Sequence, residues 1–194
     1  MKLFKTLLVI TITANLLNGC ATAVVGGAAT GASAAHDRRT LGTFIDDQGI
    51  ELKVRLAIFN EKELNSQIHI NVICINGVVL LVGQAPTAAL KQQAEDIARN
   101  VEKVRLVHNE MSIAAPNSLM TRSSDTLITA KVKANLFGIE GHEDFDPTRV
   151  KVVTENGVVY LMGILYRSEA EAVTARTRQV GGVQKVVKLF EYAD

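Results

Sequence analysis

Two segments of the chain carry apolar residues at intervals of four, the spacing that places side chains on one face of an α-helix. These positions are Ile50, Val54 and Ile58 in the first segment, and Ile128, Val132 and Leu136 in the second. Asp47 and Asp125 stand three residues ahead of each series, where an aspartate can cap or charge the start of a helix. The pattern therefore predicts one amphipathic helix in each half of the chain.

Alternating apolar residues follow each helical segment and predict a β-strand with one face toward a core. The alternating positions are Ile70, Val72 and Cys74 in the first half, and Val150, Val152 and Thr154 in the second. An Asn-Gly pair comes next, at 76–77 and at 156–157, and both residue types accept the positive φ of a type I′ turn. A further apolar run reaches Gly83 or Gly163, so each half contains a β-hairpin.

Each hairpin is followed by a second helical segment, entered at Thr87 or Ser168, and by a third apolar strand over 104–111 or 183–190. A helix that connects two strands of one sheet implies that those strands are parallel. The predicted fold class is α+β, with the order α-β-β-α-β in each half. Each half is then a three-stranded mixed sheet with two helices on one face.

The two halves are copies of one unit, because NGVVLLVG at 76–83 recurs as NGVVYLMG at 156–163. The repeat predicts two tandem domains, at 47–113 and 122–194. The segment 114–121 joins them, since its proline and small polar residues break both helix and strand. A domain of this size buries only ~60% of its unfolded surface, so packing of one copy on the other would supplement both cores.

The first 19 residues have the layout of a bacterial lipoprotein signal. Lys2 and Lys5 precede an apolar run of about 11 residues, which as a helix would rise only ~16 Å and could not cross a ~30 Å hydrocarbon core. The run ends at Leu17-Asn18-Gly19-Cys20, a lipobox whose Asn18 replaces the usual small residue. We expect residues 1–19 to be removed and Cys20 to carry S-diacylglycerol and an N-acyl chain such as palmitate. An ordinary secretory signal with an incidental cysteine is the alternative.

Residues 20–46 are predicted to be the lipidated cysteine and a flexible tether, since 21–35 contain only Ala, Gly, Val, Ser and Thr. Ala21 directly after the cysteine favours sorting to the outer membrane, facing the periplasm. Arg38 and Arg39 near the end of this segment are expected to be a solvated pair, with lipid phosphates as the other option.

Composition excludes several classes of function. The chain has 21 basic and 20 acidic residues, and loss of Lys2 and Lys5 with the signal leaves 19 basic residues. With no net positive charge and no tryptophan, we expect no nucleic-acid partner.

Cys74, flanked by Ile73 and Ile75, is expected to be a small buried apolar residue. The histidines lack metal-ligand spacing, so we expect no catalytic residues, no metal site, no cofactor beyond the acyl groups, and no enzymatic activity.

An outward apolar stripe marks the first helix of the second half. At ~100° per residue, the side opposite the core carries Leu127, Ala130, Ala134 and Phe137, with Lys131 and Lys133 beside them. Such a stripe fits an anionic bilayer surface, where apolar side chains enter the acyl boundary and ammonium groups meet phosphates. The first half has a similar stripe at Leu52, Leu56 and Phe59, so packing against the other domain or a partner explains the pattern equally well.

The α-β-β-α-β unit, its Asn-Gly-x-Val-x-Leu-x-Gly hairpin and the later Gly182-Val183-x-x-Val186 resemble a BON domain. Glu102-Lys103-Val104 departs from that last motif in the first copy. Two such domains behind a lipobox resemble the dual BON-domain outer-membrane lipoproteins over essentially the whole chain. The resemblance implies that the helix starting near Asp125 binds anionic phospholipids, such as phosphatidylglycerol or cardiolipin, with Leu127 where the family has an aromatic residue.

The function expected from this resemblance is non-enzymatic support of outer-membrane integrity, with enrichment at the division site. Cys20 and the helix would give two points of attachment. The alternative is a periplasmic adaptor whose apolar stripe docks an envelope protein, with the machinery that assembles outer-membrane barrels as the candidate implied by the family.

Overall fold

A computed structural model describes residues 39–141 and 144–194. The predicted signal at 1–19, the lipidation of Cys20 and the tether as far as residue 38 lie outside the described residues. The elements of the first domain are α1 (Leu41–Asn60), α2 (Lys62–Asn65), β1 (His69–Ile75), β2 (Val78–Ala85), α3 (Ala88–Arg99), β3 (Leu106–Asn109) and β4 (Ser112–Ile113).

The second domain repeats this order without the short helix. Its elements are α4 (Leu119–Leu136), a 3₁₀ turn (Pro147–Arg149), β5 (Lys151–Glu155), β6 (Val158–Leu165), α5 (Arg167–Arg178) and β7 (Lys185–Tyr192). The α+β class and the two α-β-β-α-β units are therefore confirmed. The short helix α2 is an addition to the order expected from the sequence.

Both hairpins turn at the Asn-Gly pairs. Ile75 pairs with Val78, and Glu155 with Val158, so each loop has two residues. Asn76 and Gly77 have φ of 51° and 72°, and Asn156 and Gly157 have 51° and 74°. These positive φ values are those that a two-residue type I′ turn needs, and they explain why these two residue types stand there.

The helix between the last two strands of each domain makes them parallel. β2 pairs parallel with β3 and with β4, and β6 pairs parallel with β7 along its full length. The first sheet has four strands by hydrogen bonding where three were expected. Its β3 and β4 pair with β2 at the same sequence offset, since Val78 pairs with Leu106 and Gln84 with Ser112. The two strands therefore correspond to one strand that is interrupted at 110–111.

The first helix of each domain begins earlier than the sequence indicated. Residues 41–46, assigned to the tether, are the first turns of α1, and 119–121, assigned to the joint, begin α4. The caps are Thr40 and Ser118, whose hydroxyls accept the N–H groups of Thr43 and Thr121. Asp47 and Asp125 are therefore not at helix starts but two turns inside, where they are buried.

Each sheet has one face toward the helices of its own domain and its other face toward the sheet of the other domain. The helix-side cores contain the predicted positions, including Ile50, Val54 and Ile58 in the first domain. A third apolar cluster joins the two sheets through Ile73, Ile75, Val78, Leu80 and Val82 of one and Tyr160 and Met162 of the other. The expected packing of one copy on the other thus takes place between the sheets, which leaves the outer faces of all the long helices uncovered.

Candidate functional site

Asp125 fixes the position of α4 over its sheet. Its carboxylate oxygens accept the backbone N–H groups of Asn156 at 2.8 Å and Gly157 at 2.9 Å. Both donors belong to the turn whose positive φ values leave these N–H groups pointing at the helix. A carboxylate bonded to two N–H groups is strongly held, so the rotation of α4 about its axis is set.

With that rotation, the predicted apolar stripe faces away from the protein. Ile128, Val132 and Leu136 are buried, whereas Leu127 is 62% and Phe137 71% exposed. Ala130 and Ala134 are also exposed. The structure therefore brings the predicted apolar residues together on one open surface, which we call the α4 face.

The earlier start of α4 lengthens the α4 face beyond what the sequence indicated. Leu119 and Met120 are 78% and 82% exposed and lie in the first turn. Sequence reasoning missed them because Pro116 and the polar residues around it were assigned to a joint. Ser118 with its hydroxyl toward Thr121 is the signal that could have placed the helix start there.

Lys131 and Lys133 flank the α4 face on opposite sides. Positions i and i+2 of a helix with 3.6 residues per turn are about 200° apart around its axis. Both side chains are exposed. Neither ammonium group forms an ion pair or a side-chain hydrogen bond with any residue in the described ranges. Asp125 is the one acid between 119 and 136, and its carboxylate is used by the turn. The exposed charge of α4 is thus entirely positive.

The corresponding helix α1 also exposes apolar side chains. They are Leu41, Ile45, Leu52, Leu56 and Phe59, each at least 50% exposed. Neither predicted stripe is used to pack one domain on the other, so that interpretation is wrong for both helices within the described residues.

The charges of α1 differ from those of α4. Lys53 and Arg55 occupy the places of Lys131 and Lys133, but Lys53 Nζ lies 3.5 Å from Glu102 and an Arg55 nitrogen lies 3.1 Å from Glu51. The helix from 41 to 60 holds three acids and two bases. The cations beside the α1 stripe therefore have acidic neighbours, whereas Lys131 and Lys133 beside the α4 face have none among the described residues.

Arg39 is not the solvated residue expected from the sequence. Its guanidinium lies 2.6 Å from Asp47, and both side chains are almost fully buried. Asp47 also accepts the N–H groups of Asn76 and Gly77, as Asp125 does in the second domain. Because this guanidinium completes the buried cluster around the first turn, Arg39 is unavailable to lipid phosphates.

A polar cleft of about 340 Å³ lies between the domains along the other side of α4. Arg122, Thr126 and Thr129 of the helix line it together with His69 and Glu155. Burial, followed by the nearby Arg122 cation, lowers the pKa of His69, and Glu155 opposes this shift. Glu155 is committed to Gln84, whose side-chain amide donates to it at 2.6 Å, and to Asn117. The cleft is therefore mainly a hydrogen-bonded contact between domains.

Cys74 is a buried thiol, as the sequence indicated. Its Sγ donates to Asp47 Oδ1 at 3.3 Å. Burial, and then the neighbouring Asp47 carboxylate, raise the pKa of this thiol far above its ordinary value. The side chain is therefore held in the neutral, unreactive form.

Chemistry that requires a metal has no support in residues 39–141 and 144–194, where no three His, Cys, Asp or Glu side chains cluster as a metal site. Within the same ranges, no helix combines the length and the hydropathy needed to cross a bilayer.

Comparison with known proteins agrees with this architecture. The BON domain model matches residues 46–115 and again 124–194. Outer membrane lipoprotein DolP of Haemophilus influenzae is 39% identical, over 92% of this chain and 91% of that protein. The 21 kDa hemolysin of Actinobacillus pleuropneumoniae is 36% identical over 80% of this chain and 79% of that protein. Osmotically-inducible protein Y of Escherichia coli is 30% identical over 96% of this chain and 94% of that protein. With two family matches spanning both folded units, the chain belongs to the BON-domain family, as a dual BON-domain lipoprotein of the outer-membrane DolP type.

Proposed function

We propose that this protein is a non-enzymatic lipoprotein that binds anionic phospholipid through the α4 face. Acyl chains on Cys20 would hold it at the periplasmic side of the outer membrane, and α4 would be the second point of attachment. Its role would be to support outer-membrane integrity, with enrichment at the division site. The name of the Haemophilus relative supports the envelope location.

The observation that carries the proposal is the pair of free cations beside an exposed apolar stripe. Lys131 and Lys133 have no acidic partner among residues 39–141 and 144–194, whereas the matched Lys53 and Arg55 of α1 do. A cation already paired with a carboxylate gains little from a lipid phosphate. An unpaired one gains ~1 kcal/mol near an anionic surface.

Each of these contacts is weak by itself. The proposed lipid anchor makes them sufficient to keep α4 at the membrane surface. Two lysines give only ~2 kcal/mol, to which entry of Leu127 and Phe137 into the interface adds. For a protein already tethered at the bilayer, the local lipid concentration is high, so a weak second contact is occupied much of the time.

Vesicle binding by the chain from residue 21 onward, which keeps every described residue, tests the proposal. We expect binding to phosphatidylglycerol or cardiolipin vesicles, little binding to phosphatidylcholine, and a fall in affinity as salt is raised. The double variant Leu127→Glu with Lys131→Glu should lose binding, because it places charge in the apolar stripe and reverses one cation. NMR amide shifts on titration with phosphatidylglycerol micelles should be confined to 119–137.

A matched control comes from the first domain. Leu52→Glu with Lys53→Glu makes the equivalent change on α1 and should leave vesicle binding within about twofold of the parent. If the α1 variant loses binding and the α4 variant keeps it, the assignment to α4 is wrong. Equal binding of the parent to anionic and neutral vesicles would also overturn the proposal.

The competing function is that of a periplasmic adaptor for an envelope protein, such as the barrel-assembly machinery. The α1 stripe favours it, since an exposed apolar surface with neutralised charges suits a protein partner better than an anionic bilayer. This alternative predicts no amide shifts with either lipid. It also predicts that a partner captured by the intact lipoprotein is released by Leu52→Glu and Leu56→Glu.

A further inference from the structure

β7 is an outer strand of the second sheet, and its far edge is open. The sheet has the order β5-β6-β7, so among the described residues β7 has a neighbouring strand on one side only. All eight of its residues are exposed or half-buried, although its side chains contribute to two cores. A long edge strand of this kind can accept another strand.

The backbone groups of the open edge can be assigned from one hydrogen bond. The N–H of Ala193 donates to Leu165 O at 3.0 Å, and β7 pairs with β6 in unbroken parallel register. In a parallel pair, alternate residues bond to the neighbour, so those between them point their N–H and C=O outward. The outward residues are Val186, Lys188, Phe190 and Tyr192. This alternation applies within the paired stretch Lys185–Tyr192, and just before it the N–H of Gln184 donates to Gly157 O at 2.9 Å.

A groove runs along this edge between β7 and α5. One section, of about 240 Å³, is lined by small side chains of α5 and by Lys188 and Tyr192 of the strand. The groove continues past Arg178 to Lys185 and Val186 in a second section of about 310 Å³. A strand placed beside β7 would therefore insert every second side chain between the edge and the helix.

The groove is positively charged. Arg167 and Arg178 stand toward its two ends and Lys188 between them, against Glu171 in the lining and Asp194 at one end, whose carboxylate accepts the backbone N–H of Arg167. Arg167 also lies over the ring of Tyr192 at 4.4 Å, which holds that guanidinium at the groove. Side chains that enter from an added strand would meet cations, so the groove favours glutamate and aspartate.

The equivalent edge of the first domain is interrupted. There β3 has four residues and ends where the line is interrupted at 110–111. The side chain of Asn109 donates to Lys91 O of α3 at 2.9 Å and accepts the N–H of Met111 at 3.3 Å. Such an interruption is a common protection of edge strands, and β7 has none.

We propose that the β7 edge binds an extended acidic peptide segment of another protein by strand addition. The backbone of the segment would pair with Val186, Lys188, Phe190 and Tyr192, and alternate acidic side chains would lie in the groove. This surface is separate from the α4 face, so the inference goes beyond the proposed function.

A second copy of the chain is a poorer occupant. Antiparallel pairing of two β7 strands about their centres would place the two Lys188 side chains close together on the same side of the joined sheet. Like charges at such positions destabilise strand pairing. The charge of the groove therefore favours an acidic segment over self-association.

The test uses the chain from residue 21 onward and a synthetic ten-residue peptide of alternating glutamate and valine, blocked at both ends. Matched probes are the same peptide with lysine in place of glutamate, and two versions with N-methylated backbone amides, one at the glutamates and one at the valines. Affinity is measured by calorimetry at 0.15 M salt. Amide hydrogen exchange, followed by NMR, locates the contact.

We expect the acidic peptide to bind at least tenfold more tightly than the lysine peptide. At least one N-methylated version should fail to bind, because it cannot donate to the edge. Exchange should slow at Val186, Lys188, Phe190 and Tyr192, while the amides between them, already bonded to β6, change little. Absence of binding, equal binding of acidic and basic peptides, or binding of both N-methylated versions would overturn the proposal.

Two variants of β7 and one control complete the design. Lys188→Glu should weaken binding of the acidic peptide at least tenfold. Lys188→Pro should weaken it to a similar extent, because proline removes an outward N–H that β6 does not use. Lys62→Glu changes net charge by the same amount on the distant α2 and should have no such effect. Binding to phosphatidylglycerol vesicles should be unchanged in all three. A stable dimer that Lys188→Pro dissociates would assign the edge to a second copy and refute the proposed partner.

Discussion

Asp125 and Gly157 lie 32 residues apart and are joined by a hydrogen bond of 2.9 Å from the buried glycine N–H to the aspartate Oδ1. The same bond recurs in the first domain between Gly77 and Asp47 at 2.8 Å. In each domain an aspartate inside the first helix therefore holds the Asn-Gly turn of the hairpin. This bond links the element that would meet lipid to the sheet beneath it.

Removal of this carboxylate should destabilise the fold. Asp125→Ala leaves the N–H groups of Asn156 and Gly157 without an acceptor, at a cost of roughly 3 kcal/mol in the free energy of unfolding. Asp47→Ala should cost more, because it also removes the carboxylate that forms a buried ion pair with Arg39. Urea denaturation measures both. A smaller loss for Asp47→Ala than for Asp125→Ala would contradict this account.

Gly83 should tolerate no side chain. Its φ is 134°, and a Cβ there would lie 2.0 Å from the carbonyl oxygen of His69 across the hairpin. Gly83→Ala should therefore lower the free energy of unfolding by at least ~3 kcal/mol. Gly181→Ala is the control, since nothing lies within 4 Å of its Cβ position, and it should stay within about 0.5 kcal/mol of the parent. Thermal or urea unfolding distinguishes the two.

The buried thiol predicts a loss of stability in alkali. Because burial raises the pKa of Cys74, the folded chain keeps the proton after the unfolded chain has lost it, above the ordinary value of 9.0. The unfolded state then binds fewer protons, and stability falls with pH by up to about 1.4 kcal/mol per unit.

Comparison of Cys74→Val with the parent at pH 8, 9 and 10 isolates this contribution. The variant should show a shallower decline between pH 9 and 10. Tyr160, whose pKa is raised to about 12 chiefly by burial, adds a similar decline in both proteins and so cancels in the comparison. Identical slopes for the two proteins would show that the thiol ionises freely.

The cleft between the domains predicts the acid titration of His69. Its pKa lies below 6.5, so the folded chain keeps this imidazole neutral after the unfolded chain has begun to bind a proton. Its contribution to stability is therefore present above pH 6.5 and is lost as pH falls below that value. Arg122→Gln should raise the pKa of His69 because it removes a nearby cation. Lys131→Gln, on another side of α4, should leave it unchanged in an NMR titration.

A single tryptophan can report on the proposed membrane contact, because the chain contains none. Leu127→Trp should tighten binding to phosphatidylglycerol vesicles and shift its fluorescence to the blue, since the indole ring prefers the membrane interface. Leu56→Trp on α1 is a matched control at similar exposure and should keep a water-like spectrum. A blue shift in the control alone would move the membrane contact to the first domain.

The processing of the amino terminus can be measured directly. Mass spectrometry of the native protein should find a chain that begins at Cys20 and carries diacylglycerol and one further acyl chain. An unmodified chain that diffuses freely in the periplasm would remove the first point of attachment. The vesicle experiments would then have to account for all membrane binding through α4 alone.

Local patterns in the sequence determined the elements and their order. The four-residue spacing of Ile128, Val132 and Leu136 identified the buried side of α4, and Asn156-Gly157 identified the turn, because helix periodicity and positive φ are properties of neighbouring residues. The helix starts at Thr40 and Ser118 were missed, since a flexible composition outweighed a single capping hydroxyl. The role of Asp125 was missed as well, because its partners lie 31 and 32 residues away.

Only the tertiary structure decided which surfaces stay open. The stripes of α1 and α4 look alike in sequence, and both were candidates for packing between domains. The sheets supply that contact instead, through a buried apolar cluster that includes Ile73, Ile75 and Tyr160. Distances in space decide that Lys53 pairs with Glu102, 49 residues away, and that Lys131 has no acidic partner in the described part of the chain. The sequence alone therefore determines that each first helix carries an outward apolar stripe flanked by two cations, and the folded arrangement decides which of these cations have acidic partners among the described residues.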